Sequence, residues 1–415
     1  MWTIAALRRG ALQALMAAAT LAAAAGGSCA ADDALPAADV AVPGAEVVTR
    51  ELQPLPEAVV KGLDSVVASI SASNPALPAA DAALLVRFVK TQGANGAVWK
   101  LPSRWSAQGA CCMLVIPWPL GTYLEMNYHP GIPDHALFPA SMRFSGVVSR
   151  EQAVQAYERC TRAPVPAAHP AAVGRYASVE EIAPNPESGA YFVYTNLRTL
   201  ARCTLDGSDA LFSYGELIPP SSSSKRGVMV GPEDRALFYY SEKPGVNLPG
   251  LAWARSQIVL SKSLGVYVSI GPAQTVLAFF TWLDAGWKGV NLTRATHIVH
   301  TQQTLLDFIG RLARNPAVTP KRIAAVVAGV ATAPQKTIDA EYGRYVTYVK
   351  AWRDNGRGGF FSRNSLLASL YDQDVLSRTH DRLRRAIIVQ ERMRCLLGTP
   401  TWSAYTAGAD LTMNR

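Results

Sequence analysis

The feature that most constrains the fold is a long uncharged run near the middle of the chain. Residues 263–283 hold 21 positions without a charged side chain, which is the length of a membrane-spanning helix. Gly271-Pro272 divides this run, and polar residues lie within it. Interrupted apolar runs of this kind are more typical of a protein core. We therefore expect a buried strand over 265–270 that leads into a buried helix from about Ala273, and no integral membrane span beyond the signal segment.

The overall composition is that of a globular chain. Charged residues make up 17% and hydrophobic residues 49% of the 415 positions, whereas disordered chains combine low hydrophobicity with high charge. The sequence shows no internal repeat with a fixed period, which argues against repeat architectures. We predict an α+β fold, with short antiparallel strands in a mixed domain over 58–290. A mainly helical, basic region over 291–402 is expected to pack against it, followed by a frayed tail over 403–415.

Local patterns predict several elements within this outline. Apolar residues at helical spacing predict helices over about 57–71 and 80–92, and a capping-box pattern precedes a helix over about 150–160. Short β-branched and aromatic runs, separated by Gly and Pro, make residues 188–262 rich in predicted strands. Thr319-Pro320 is typical of a helix start, because proline is favoured at the first helical position.

The N-terminus has the pattern of a secretory signal peptide over residues 1–31. Arg8 and Arg9 precede an Ala- and Leu-rich run, and small residues around Cys29 end it. We expect an exported protein, periplasmic or secreted. A twin-arginine route and lipid attachment through Cys29 are alternatives left open. Residues 32–57, rich in Pro and Ala, are predicted to form a tether after the cleavage site.

Five cysteines remain after the leader, and an oxidising compartment would permit disulfides between them. An odd number leaves at least one thiol unpaired within the chain. Cys160 and Cys203 are the preferred disulfide, on proximity in sequence. Cys111 and Cys112 are adjacent in a strand-like run, so we expect their side chains to point to opposite faces of a sheet.

The positive charge is concentrated in the C-terminal third. Residues 294–415 carry 18 Lys or Arg and 9 Asp or Glu, which accounts for the whole net charge of +9. Guanidinium groups on one helix face could bind the phosphates of an anionic envelope component, either a lipid, a lipopolysaccharide or a glycan. A solvated helix face is the alternative. No nucleic-acid-binding motif is present, so nucleic acid is not an expected partner. The candidate anion-binding residues are Arg378, Arg382, Arg385 and Arg392.

The densest polar cluster lies on the second strand of a predicted hairpin and in the residues just after it. Cys111–Ile116 and Tyr123–Tyr128 read as strands on either side of a Pro- and Gly-containing turn. On such a strand Glu125 and His129 would share one face, about 13 Å apart. The turn that follows could bring the next acidic and imidazole side chains back toward them. This arrangement is equally typical of the solvated face of an antiparallel sheet.

A carboxylate near an imidazole can act as a general acid–base pair or bind a metal. The candidate catalytic residues are therefore Glu125, His129, Asp134 and His135. Indole rings pack on the apolar faces of sugars, so tryptophans near this hairpin would suit a glycan, although core packing is their commoner role. The tryptophans concerned are Trp99, Trp105 and Trp118.

His297 and His300 lie three positions apart, on one face of a predicted helix. They are candidate metal ligands, but they would need a third ligand from elsewhere, because the H-E-x-x-H motif is absent. The alternative is that both histidines are surface residues that bind no metal. No nucleotide-binding loop or nucleophile elbow is present, and the cofactor, if any, stays unknown.

Three hypotheses of function follow from these observations. The first is an exported cell-envelope binding or interaction protein whose basic helical face binds an anionic partner. The second is an envelope hydrolase, glycan-directed in one version, that uses Glu125 with His129, Asp134 and His135. The third is a metal-dependent protein that uses His297 and His300.

Overall fold

The structure is a computed structural model that confirms the α+β class, with helices and a mainly antiparallel sheet. The predicted signal peptide, most of the tether, the C-terminal tail and Arg378 lie outside the described residues, so export stays a prediction. The structure describes residues 52–93, 96–138, 142–161, 172–182, 190–230, 237–248, 252–287, 290–291, 293–354 and 379–397.

Nine helical segments are described within these ranges. In chain order they are α1 Glu57–Ser71, α2 Ala79–Gly93, α3 Leu120–Tyr128, α4 Asp134–Leu137, α5 Arg150–Thr161, α6 Ala295–Arg314, α7 Pro320–Ala331, α8 Gln335–Asp354 and α9 Asp381–Leu396. The helices predicted near 57–71, 80–92 and 150–160 are confirmed as α1, α2 and α5. Thr319 caps α7 as expected, because its side chain accepts a hydrogen bond from the backbone N–H of Arg322 at 3.3 Å.

The strands form one large sheet and two small ones. In chain order they are β1 Gln53–Pro54, β2 Val98–Arg104, β3 Ala107–Ile116, β4 Met142–Val147, β5 Ala172–Ile182, β6 Ala190–Tyr191, β7 Val193–Leu205, β8 Ser208–Leu217, β9 Lys225–Val230, β10 Leu237–Pro244, β11 Val246–Leu248, β12 Ala252–Ala254, β13 Gln257–Gly271, β14 Gln274–Trp287 and β15 Val290–Asn291.

The large sheet has the order β1-β2-β3-β14-β13-β8-β7-β5-β4, with β15 paired to β14. Its pairings are antiparallel except for β1 with β2. β1 lies inside the predicted tether, and Leu55 beside it is buried. The folded part of the chain therefore includes residues 52–57.

The uncharged run 263–283 forms the end of β13, a tight turn and most of β14. The helix predicted from Ala273 is wrong. Both strands lie in the middle of a sheet that is covered on its two faces, so both sets of alternating side chains are buried and charges are absent from each. Among the described helices, none is long and apolar enough to cross a membrane.

Two layers of helices cover the two faces of the sheet. Helices α1 and α2 pack on one face, which we call the dry face, against Leu264, Val266 and Phe280. Helices α3 to α9 contribute to the core on the opposite face, which we call the cavity face. The C-terminal helical region thus shares one hydrophobic core with the sheet.

The segment Leu120–Tyr128 is the helix α3, so the predicted hairpin at this place is wrong. Its buried residues Leu120, Tyr123 and Leu124 recur at helical spacing and pack into the core of the cavity face. The alternation of polar and apolar residues that suggested a strand also fits a short amphipathic helix.

No disulfide joins any of the five cysteines in the described residues. The predicted Cys160–Cys203 disulfide is wrong, because Cys160 belongs to the core of the cavity face and Cys203 to the core of the dry face. The sheet therefore separates the two sulfur atoms. The prediction for Cys111 and Cys112 is confirmed, since Cys111 packs on the dry face and Cys112 on the cavity face.

Candidate functional site

A cavity of about 320 Å³ lies between the cavity face of the sheet and the helices α3, α4 and α6. Its polar lining comes from both layers, and apolar side chains close the remainder. The polar and tyrosine side chains that line it are Tyr123, Asn127, Tyr128, Asp134, Glu180, Tyr194, Asn196, Arg198, Ser213, Ser261, Ser263, Tyr267, Thr281, Thr301 and Gln302.

The floor of the cavity is a row of residues that lie opposite one another on four adjacent strands. Arg198 pairs with Gly215, Gly215 with Ser263, and Ser263 with Thr281. Directly opposed residues of antiparallel strands share a face, so all four positions face the cavity. A Cβ atom at Gly215 would lie 2.9 Å from the hydroxyl oxygen of Ser263. Because Gly215 has no side chain, the cavity beside Arg198 stays open at this position.

Arg198 joins two carboxylates at one end of this row. Its guanidinium donates to Glu180 Oε1 at 2.5 Å and to Asp134 Oδ2 at 3.0 Å. Glu180 is almost fully buried and also accepts hydrogen bonds from Tyr194 at 2.7 Å and Ser178 at 3.1 Å. We call Asp134, Glu180 and Arg198 the ion triad. A buried charge is tolerated only when it is paired and hydrogen-bonded in this way.

The two carboxyl groups of the ion triad have pKa values displaced in opposite directions. Burial raises the pKa of Asp134 to about 6, although the Arg198 charge opposes it. Burial also acts to raise the pKa of Glu180, but the charge and hydrogen bonds of Arg198 and the hydroxyls of Tyr194 and Ser178 outweigh it. The pKa of Glu180 therefore lies below its usual value. Above about pH 6 the triad carries two negative charges and one positive charge.

Three tyrosines form the wall of the cavity beside α3. The hydroxyl oxygens of Tyr128 and Tyr267 are 3.2 Å apart and share a hydrogen bond, and the rings of Tyr123 and Tyr267 are 4.7 Å apart. A Cβ atom at Gly265 would lie 2.1 Å from the hydroxyl oxygen of Tyr267, so the glycine makes room for this ring. Burial raises the pKa of all three phenols. They are therefore neutral hydrogen-bonding groups at physiological pH.

Gln302 on α6 lies in the opposite wall, and its side-chain oxygen is an unsatisfied acceptor within that wall. Its side-chain nitrogen donates to the Phe279 carbonyl at 3.1 Å and to the Thr281 hydroxyl at 2.8 Å. The carbonyl partner can only accept, so the orientation of the amide is fixed. The side-chain oxygen of Gln302 is buried and has no hydrogen-bond partner in the described part of the chain. Such an orphaned acceptor costs about 1–3 kcal/mol unless something else donates to it.

Of the four predicted catalytic residues, the structure places one, Asp134, in the cavity. Glu125 is exposed on α3, so it shares no strand face with His129. The ring nitrogen Nδ1 of His129 accepts the Gly131 N–H at 3.0 Å.

His135 is likewise occupied by local structure. It is buried against Phe144, and its Nδ1 accepts the Ser145 N–H at 3.1 Å. Burial lowers the pKa of His135 to about 4. The structure does not bring the four side chains together: Glu125 is exposed, Asp134 lines the cavity, and local backbone N–H groups bind both imidazoles.

Among the described residues, the two candidate metal ligands have no third ligand beside them. His297 Nδ1 accepts the backbone N–H of Arg294 at 3.2 Å at the start of α6, and burial lowers the pKa of His297 to about 4. Across the described ranges, no group of three or more His, Cys, Asp or Glu side chains is placed to hold a metal ion. A site at His297 and His300 stays a prediction that would need residues outside these ranges.

The described arginines of the predicted anion-binding stripe have partners within the chain. Arg382 lies over the Phe144 ring at 5.1 Å. Arg385 pairs with Asp381 and donates to carbonyls at the end of α7, whereas Arg392 pairs with Glu341 at 2.8 Å on α8. These contacts hold the C-terminal helices together. Anion binding by this stripe stays a prediction.

The tryptophans suggested for glycan packing do not lie together. Trp99 is buried on the dry face and Trp118 on the cavity face, whereas Trp105 is 45% exposed at the turn between β2 and β3. The sheet separates the two buried rings, so they cannot form one sugar-binding surface.

The sequence reasoning missed the residues that define the cavity: Glu180, Arg198 and Gln302. Arg198 and Asp134 are far apart along the chain, and only the sheet order brings them together. One signal was available, because Glu180 and Arg198 are charged residues inside runs of β-forming residues. No protein-family model matches the chain. No curated protein sequence matches it either.

Proposed function

We propose that the chain is a binding protein for a small polar organic molecule, which occupies the cavity beside the ion triad. The observation that carries this proposal is the combination of a roughly 320 Å³ cavity with an ion triad at its wall and with hydroxyl and amide side chains from both layers in its lining. Ligand sites are concave and mainly apolar, with a few convergent polar groups that fix orientation. The apolar residues around the triad, such as Phe279 and Leu305, complete that arrangement.

A packing defect would have a different lining. Empty cavities in proteins are apolar, and polar groups that serve only packing are expected to find partners inside the protein. Here hydroxyl, amide and carboxylate groups converge from both the sheet and the helices. The ion triad is also held in a defined geometry by Tyr194 and Ser178, which is the support that a recognition site requires.

The test is a thermal-shift screen of the purified protein against a library of small polar metabolites. We expect specific compounds to raise the melting temperature of the wild type, because a ligand that binds the folded state stabilises it. Ser263→Phe fills the floor of the cavity and should abolish the shift. Glu125→Gln, on the exposed side of α3, should keep it. A library without any stabilising compound, or equal shifts in Ser263→Phe, would contradict the proposal.

A second candidate function is an acid–base enzyme that uses Asp134. The observation that favours it is the divergence of the Asp134 and Glu180 pKa values within one cavity, which is how acid and base roles are separated in enzymes. The hydrolase hypothesis is retained here with Asp134, instead of Glu125, as the reacting carboxyl group. Its test is mass spectrometry of soluble products after incubation with peptidoglycan. Fragments that disappear with Asp134→Asn and persist with Glu125→Gln would support it; no fragments from the wild type would exclude this substrate.

A further inference from the structure

We infer that the molecule bound in the cavity is an organic cation, specifically a primary ammonium compound whose charged group lies against Asp134. This inference rests on the proposed binding function. It starts from the charge of the ion triad, in which two carboxylates face one guanidinium. A buried excess of one negative charge is unfavourable by itself. A bound ammonium group would complete the balance.

The hydrogen bonds of the triad show which carboxylate is available. Both oxygens of Glu180 are occupied, Oε1 by Arg198 and Oε2 by Tyr194. Asp134 uses Oδ2 for Arg198, and its Oδ1 accepts no hydrogen bond from a described residue. Asp134 keeps 20% of its side-chain surface accessible and lines the cavity. An ammonium group, which has three donors and no acceptor, therefore fits beside Asp134.

The rest of the lining suits a cation better than an anion. Arg198 already has both of its carboxylate partners, so it offers no uncompensated positive charge. The rings of Tyr128, Tyr267 and Phe279 line the cavity and stay neutral, and aromatic faces attract cations. Asp134 Oδ1 is a charged acceptor without a donor from a described residue, so it favours a ligand group that donates hydrogen bonds.

The size of the cavity sets the size of the probe. A cavity of about 150 Å³ holds benzene, and the one described here is about 320 Å³. A single ring with a two-carbon ammonium arm therefore fits. The matched probes are 2-phenylethylamine, its uncharged counterpart 2-phenylethanol, and the carboxylate 3-phenylpropionate.

The experiment is isothermal titration calorimetry with the three probes at about pH 7.5, where amine and carboxylate are both ionised. We expect 2-phenylethylamine to bind at least about tenfold more tightly than 2-phenylethanol, and 3-phenylpropionate to bind weakest. Asp134→Asn should remove the advantage of the amine over the alcohol, because it removes the charge and keeps the shape. Glu125→Gln, which changes an exposed carboxylate, should bind all three probes as the wild type does.

The outcomes separate this inference from the binding function on which it rests. Equal or tighter binding of the alcohol or the carboxylate overturns the cation assignment and leaves cavity binding intact. An undiminished preference for the amine in Asp134→Asn overturns the assignment to Asp134. If none of the probes binds, the cation assignment fails; if no library compound shifts the melting temperature either, the binding function fails with it.

Discussion

The two faces of the central sheet are built from the same strands, yet they have different composition. On β13, Leu264 and Val266 point to the dry face, where α1 and α2 cover them completely, whereas Ser263 and Gly265 point to the cavity. On β8, Phe212 points to the dry face and Ser213 to the cavity. Alternation along each strand therefore separates a packing face from a recognition face without any change of backbone.

The difference shows how one sheet can combine stability with a polar site. The dry face is packed mainly by apolar side chains beneath α1 and α2, so its stability derives mainly from their burial. The cavity face contains charged and hydroxyl groups whose burial is unfavourable unless they are paired. The ion triad and the tyrosine cluster supply that pairing. We therefore expect stability to depend mainly on the dry face and ligand recognition on the cavity face.

The largest expected effect compares two adjacent residues of β14. Phe280→Ala on the dry face should lower the free energy of unfolding by about 3–5 kcal/mol, because it removes a fully buried ring and leaves a cavity. Thr281→Val on the cavity face keeps the shape and should change it by about 1 kcal/mol or less. Chemical denaturation monitored by circular dichroism measures both. Similar losses for the two variants would break the distinction between the faces.

The next effect concerns the ion triad. Arg198→Met should cost about 2–3 kcal/mol of stability, which is less than for a fully buried pair because Arg198 is 20% exposed. Arg198→Met leaves the carboxylates of Glu180 and Asp134 without their partner. Adding Glu180→Gln to this variant removes one of these two charges and should restore part of the lost stability. Urea titrations of both variants test this. If the double variant is less stable than Arg198→Met, the triad is held by packing rather than by charge.

A smaller effect is expected at Asp134, and its size depends on pH. The pKa of Asp134 is raised in the folded protein from 3.8 to about 6, so ionisation of this carboxyl disfavours folding. The resulting destabilisation is absent below about pH 3.8, develops between there and pH 6, and is complete above it. Asp134→Asn should therefore be more stable than the wild type near neutral pH, by about 1–2 kcal/mol.

Stability of Asp134→Asn and of the wild type, measured across this pH range, tests that sign. The gain in Asp134→Asn should shrink as the pH falls. The groups that face Asp134 are Arg198, Glu180, Tyr123, Tyr128, Tyr176 and Tyr194. The buried imidazoles of His135 and His297 titrate in both proteins and cancel in the difference. A variant that is less stable than the wild type at neutral pH would show that Asp134 is a structural residue.

The smallest expected effect concerns the cysteines. Because the sheet separates Cys160 from Cys203, a reducing agent should leave the melting temperature unchanged. Iodoacetamide should label the exposed Cys395 in the folded protein and the four buried thiols only after unfolding. Mass spectrometry then counts the labelled thiols in the folded protein and in the unfolded protein. A fall in melting temperature on reduction would show that a disulfide stabilises the chain.

The sequence predicted those parts of the fold that depend on local periodicity. Helices α1 and α2 and the opposed Cys111 and Cys112 follow from the spacing of neighbouring residues. It failed at α3, where one short pattern fits both a helix and a strand. It also failed from Ala273 onward in the run 263–283, where burial on both faces removes the alternation that marks a strand, although the strand predicted over 265–270 is part of β13.

The candidate site was harder to predict because its groups come from distant segments. Asp134 was selected, but its partners Glu180 and Arg198 meet it only through the order of β5, β7 and α4 in the folded chain. The histidines were selected for their chemistry, although local backbone contacts occupy their ring nitrogens. The chemical type of a side chain was thus a weaker predictor of the site residues than its position on the sheet.

The most direct test of the central claim, that the cavity face holds an uncompensated carboxylate for a cationic ligand, is the titration of Asp134 by nuclear magnetic resonance. Selective ¹³C labelling of aspartate carboxyl groups, with Asp134→Asn to assign the signal, gives the pKa of this residue. We predict a midpoint near 6 in the free protein and a lower midpoint, by about one unit or more, when 2-phenylethylamine is bound. A midpoint near 3.8 in the free protein, or one that the amine leaves unchanged, would contradict the account.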